Sequence, residues 1–136
     1  MAVDRLMTIR RPLEDRERGA VAAEFALLIP VFLILIFGMI ELGLAFQRKE
    51  VVNAAAREGA RIAALPSTTT ADACNRVNAS LAGTSFTGAP TCAVVGDCAA
   101  SSPSVVVTVT VTNQLNIPFW GSPNITLTGT GDFRCE

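Results

Sequence analysis

The 136-residue chain contains no histidine and no tyrosine. Without histidine there is no Ser-His or Cys-His nucleophile pair and no imidazole ligand for zinc, and the commonest general base is missing. Charge is scarce as well. Only 17% of the residues are charged and the net charge is −1, which argues against a nucleic-acid binder. Large aromatics are limited to seven Phe and one Trp. The carboxylates Asp72, Asp97, Asp132 and Glu136 are scattered in no recognisable motif. We therefore expect no enzyme, no cofactor and no bound metal. The length allows one domain rather than two.

What is present is unevenly placed. Of the 27 residues at positions 20–46, 22 are Ala, Val, Ile, Leu, Met or Phe. Sixteen consecutive residues between Glu24 and Glu41 carry no charge. With its flanks this run is long enough to cross a hydrocarbon core, which needs about 20 residues. Its length and lack of alternation favour helix over strand. Pro30 should kink it, having no N–H to donate and crowding the carbonyl of Ala26. Before the run, residues 1–19 hold nine charges, including Arg5, Arg10, Arg11, Arg16 and Arg18. Together with Pro12 they read as a polar leader without a stable packed element.

The helix should outlast the run. QRKEVVNAAAREGARIAAL at 47–65 consists mostly of good helix formers, and Leu65-Pro66 is a natural stop. A helix over 20–65 would be about 69 Å long, more than twice a bilayer core. Its second half must enter water or pack on something. Its alanines suit either a solvated helix or a tight bundle of neighbouring stems. Residues 66–136 differ in kind. ADACNRVNASLAG predicts a short second helix, 83–103 a Gly/Pro/Cys-rich loop, and VVVTVTVT at 105–112 a β-branched strand. ITLTGT at 125–130 predicts a second strand with one polar face, and NQLNIPFWGSP between the strands predicts a loop. Phe119 and Trp120 are read as this module's core anchor rather than an exposed tip. The expected fold class is α+β: a long N-terminal transmembrane and stem helix, then a small disulfide-supported β domain. The expected boundaries are 1–19, 20–65 and 66–136.

All four cysteines, Cys74, Cys92, Cys98 and Cys135, follow the apolar run. An even number on one side of a membrane segment suits disulfides in an oxidising compartment. Three pairings are open. The spacing favours Cys92–Cys98 as a local clip and Cys74–Cys135 as a tie to the chain end. Basic residues flank the run on both sides, so the positive-inside rule is almost balanced. The cysteines break the tie, with residues 1–19 expected in the cytoplasm and residues 47–136 outside.

The stretch that points to function is Arg18-Gly19-Ala20-Val21-Ala22-Ala23-Glu24-Phe25. A carboxylate at the centre of a membrane helix costs roughly 2.5 kcal/mol or more, so Glu24 calls for a partner or a function. Cleavage after Gly19 would make Ala20 a positive N-terminus one helical turn from Glu24, on the same face. That amine, or the amine of a neighbour in a helical assembly, could pair with Glu24. Glu41, seventeen residues further on, is expected near the outer interface and reaching water.

RGAVAAEFALLIPVFLILIFGMIELG and the downstream NAAAREGARIAA resemble the class III signal and stem of type IV pilins and pseudopilins. Within that group they are most similar to the TadE-like minor pilins of tight-adherence (Flp) pili. The resemblance implies cleavage between Gly19 and Ala20 by a prepilin peptidase of the inner (cytoplasmic) membrane. It also implies a docking role for Glu24 and Phe25. The implied partners are other pilin subunits and the tight-adherence assembly machinery, with incorporation into, or priming of, the pilus. Competing readings are a major pilus subunit, an adhesin-like binding module that uses the helix as an anchor, an uncleaved single-pass anchor, and a signal peptide cut after Gly43-Leu44-Ala45.

Overall fold

The computed structural model describes residues 12–100, 102–117 and 121–135, with side chains from Gly19 onward except Ala99. The expectations for residues 1–11, and for Phe119 and Trp120, fall outside these residues. The architecture is α+β, with one long helix, one short helix and a three-stranded antiparallel sheet.

Helix α1 spans Pro12–Ala63. It begins eight residues before the expected start at Ala20, because Pro12 occupies its first position. There the missing N–H would be unbonded anyway and the fixed φ already suits a helix, so this proline starts the element instead of preventing it. At the other end the bonding tightens. Ala64 N donates to Ala60 O (3.0 Å), while Leu65 N donates to Ile62 O (3.1 Å), a final 3-10 turn before Pro66.

The chain divides after Gly38 into two compact units. In the first, every side chain from Gly19 to Leu33 is exposed. A helix that is apolar all round must be covered by something other than its own chain. The segment Gly19–Ala63 is long and apolar enough to cross a membrane.

The second unit starts at Met39. Its part of α1 buries Ala45, Val52, Ala55, Ala56 and Ala60, a stripe at spacings of three, four and seven, and Ala64, just past the helix end, is buried too. Helix α2, Thr70–Leu81, buries Ala73, Val77 and Leu81 at strict i, i+4 spacing. Thr69 caps it. Its hydroxyl accepts from Asp72 N, and the Asp72 carboxylate accepts from Thr69 N (2.9 Å) and the Thr69 hydroxyl (2.7 Å).

Three strands follow as a meander: β1 Thr91–Val95, β2 Ser104–Gln114 and β3 Asn124–Arg134. Strand β1 lies inside the stretch expected to be loop. It is short and carries a mixed pattern, and it pairs with β2 from Thr91↔Thr110 to Val95↔Val106. Strand β2 is the predicted β-branched strand, and it alternates, with Val105, Val107, Val109 and Val111 buried and the intervening residues half-exposed. Asn113 and Gln114 extend β2 beyond the expected end, and Leu115 N to Pro123 O (3.0 Å) and Ile117 N to Gly121 O (3.0 Å) continue the hairpin toward its tip.

The alanines of α1 have a role that neither sequence reading anticipated. Ala55, Ala56 and Ala60 are buried within this unit, against α2 and the sheet. On β3 the inward positions run Leu127, Gly129, Gly131. A Cβ on Gly129 would lie 2.6 Å from the Val52 carbonyl oxygen, and one on Gly131 would lie 2.5 Å from that of Ala56. Strand and helix thus meet backbone to backbone. Gly59 marks the junction with α2, where an added Cβ would lie 2.5 Å from Val77 Cγ2.

The disulfides join Cys74 to Cys92 and Cys98 to Cys135. The expected pairing, Cys92–Cys98 with Cys74–Cys135, is overturned by β1. Once 91–95 is extended, Cys92 and Val95 alone are roughly 10 Å apart, so a short clip to Cys98 is opened. Cys92 meets Cys74 on α2 instead. Cys98 sits in a 3-10 turn, Cys98–Ala100, beside the chain end, where Cys135 N donates to Pro103 O (3.2 Å).

Candidate functional site

Gly19, Ala20, Glu24 and Phe25 all lie within α1. A Cβ at Gly19 would meet nothing within 4 Å. Ala20 and Glu24 are exposed, and Phe25 is 61% exposed. Four residues of helix separate Ala20 from Glu24, about 6 Å along the axis, so both occupy one face a turn apart. Among the described residues Glu24 has no ion-pair partner.

Helix continuity gives the junction a further property. In an α-helix each N–H bonds the carbonyl four residues earlier, so the donors of residues 20–23 use the carbonyls of residues 16–19. Any cut between Gly19 and Ala20 would turn the Ala20 nitrogen into an amine and free the N–H donors of residues 21–23. Positive charge and unpaired donors would then sit one turn from Glu24, at the end of a helix dipole that favours an anion.

The second unit holds its own charges. Glu58 pairs with Arg76 on α2 (2.9 Å, with Nε also donating at 3.1 Å) and more loosely with Arg61 (3.9 Å). Lys49 donates from α1 to the carbonyl of Thr128 on β3. These contacts tie α1 to the two elements packed on it. Asp72 is held below its ordinary pKa by the Thr69 hydroxyl first and the Thr69 N–H second, a consequence of the cap. Glu41 is half-buried, at the edge of a cleft that it shares with Arg48.

Gly59, Gly129 and Gly131 set the close packing of α1 on α2 and β3 within the second unit, and sequence reading passed over them. The signal was available. Glycine in the inward phase of a strand, opposite an alanine-rich helix, marks close approach of two backbones.

Residues 19–61 match the family model described as TadE-like protein. The matched segment starts at the junction glycine and ends two residues before α1 does. It covers about a third of the chain, and over that stretch the resemblance read from the sequence holds. No curated protein and no solved structure matches the chain.

Proposed function

We propose that this chain is a minor pilin, or pseudopilin, of a tight-adherence pilus. It is made as a precursor, cut between Gly19 and Ala20 by prepilin peptidase, and docked into, or used to prime, the growing filament. The observation that carries the reading is the junction itself, Gly19 through Phe25, at the head of a segment that matches the TadE-like family.

Cleavage removes the leader and leaves α1 beginning at Ala20. Three freed backbone donors and an amine are costly to bury in hydrocarbon unless satisfied, so the new terminus stays at the interface or finds an acceptor. Glu24 provides one, within the same subunit or on a neighbour. Apolar side chains exposed on all faces of residues 20–33 supply the surface on which subunits meet. The chain acts as a structural component and not as an enzyme. Its N-terminus faces the cytoplasm before processing, and its disulfide-bonded unit stands on the oxidising side.

Replacing Glu24 with Ala, in a strain whose other pilus genes are intact, tests the docking step. Pilus formation should fall sharply while cleavage and membrane insertion continue. Normal piliation in that strain would remove the docking role.

A further inference from the structure

The second unit contains a polar cleft of about 220 Å³ that the assembly reading does not use. Glu41, Leu44 and Arg48 of α1 line one side, and Phe86, Asn113 and Asn116 line the other. Three observations distinguish it. First, Glu41 and Arg48 carry opposite charges into one cleft, two helical turns apart, and neither has an ion-pair partner among the described residues. Second, the buried row of β2, Val105, Val107, Val109 and Val111, ends in Asn113, which is only 2% exposed. The amide of Asn113 donates at 3.4 Å to Gln114 O, a long bond for a buried group. Third, Glu41 is the first charge after the sixteen uncharged residues. If α1 spans a bilayer, the cleft opens at the depth of the lipid headgroups.

We propose that this cleft binds the headgroup of an ethanolamine phospholipid, a zwitterion whose ammonium is held by Glu41 and whose phosphate is held by Arg48, with the Asn113 amide as a further polar contact. The volume is below the roughly 300 Å³ at which pockets for drug-sized ligands begin, and it suits a small group. A single anion would leave Glu41 opposed to it, and a single cation would leave Arg48 opposed. A zwitterion satisfies both. A primary ammonium can donate hydrogen bonds to a carboxylate, whereas the quaternary ammonium of a choline lipid cannot. The apolar side chains Leu44 and Phe86 can cover the glycerol end. The proposal rests on α1 spanning the membrane and is independent of cleavage at Gly19.

The test uses the full-length chain in detergent micelles, titrated with phosphatidylethanolamine, phosphatidylcholine or phosphatidylglycerol, with bound lipid counted by native mass spectrometry. Phosphatidylethanolamine should bind about five-fold or more tightly than either of the others. Glu41→Gln should abolish the preference over phosphatidylglycerol, and Arg48→Gln should weaken phosphatidylethanolamine by about five-fold or more. Intact disulfides and unchanged far-ultraviolet circular dichroism establish that the variants are folded. Equal affinity for the three lipids, or a preference that survives both substitutions in folded protein, overturns the proposal. Competition by soluble glycerophosphoethanolamine as effective as the lipid would identify a free zwitterion as the ligand and overturn the lipid assignment.

Discussion

Gly131 is the position where the packing of α1 on the sheet can be broken with one methyl group. An alanine there would place its Cβ 2.5 Å from the Ala56 carbonyl oxygen, 2.7 Å from the Ala56 carbonyl carbon and 2.7 Å from the Arg57 Cα. All three atoms are helix backbone, so no rotamer change can relieve the clash. The strand and helix must move apart by most of an ångström and loosen the contacts of Val52 and Ala56. Overpacking of this kind costs about 1–3 kcal/mol, and rigid neighbours argue for the upper half. For a unit of about 100 residues, 1 kcal/mol moves the melting temperature by about 4–8 °C, so Gly131→Ala should lower it by roughly 10–20 °C. Gly43→Ala is the matched control. It lies in the same helix with nothing within 4 Å, and should leave melting unchanged or raise it slightly. Differential scanning calorimetry of the full chain in micelles, disulfides intact, measures both. Equal melting temperatures for Gly131→Ala and the wild type would refute the close approach of helix and strand.

Other substitutions probe the same unit. Gly59→Ala should destabilise by about 1–3 kcal/mol and be partly rescued by Val77→Ala, because the clash there is with a side chain. A double-mutant cycle reads that coupling, and strict additivity would contradict it. Opening Cys74–Cys92 or Cys98–Cys135 by Cys→Ser pairs should cost about 3 and 4 kcal/mol respectively in the chain-entropy picture, the longer loop losing more; denaturant midpoints check the order. Asp72 has a lower pKa folded than unfolded, so its cap stabilises α2 fully above the unfolded value, and that contribution disappears as the pH falls through the folded one. Carboxyl titration by NMR should show Asp72 returning toward its ordinary value in Thr69→Ala.

Much of this architecture was legible in residue patterns. The apolar run, the β-branched strand at 105–112, the polar face at 125–130 and the second helix each rest on local sequence composition or pattern, and each is present. What escaped reading is non-local. Thr91–Val95 is too short and too mixed to announce itself, and becomes a strand because β2 offers it a ladder. The disulfide pairing depended on that strand, so the error in one became the error in the other. Ala55, Ala56 and Ala60 could be placed against neighbouring stems or water only while Gly129 and Gly131 were not seen to lie opposite them. Pro12, read with the leader charges as a sign of no packed element, serves as a first helical residue. At the junction, spacing alone placed Ala20 and Glu24 on one face, because helix geometry needs no tertiary information.

The central claim is processing at the Gly19-Ala20 bond, and the N-terminal sequence of the mature protein tests it most directly. In cells with active prepilin peptidase, purified protein should begin Ala20-Val21-Ala22-Ala23-Glu24. A mature chain that still begins at Met1 in those cells would contradict the account, and one that begins at Phe46 would replace it with signal-peptide cleavage.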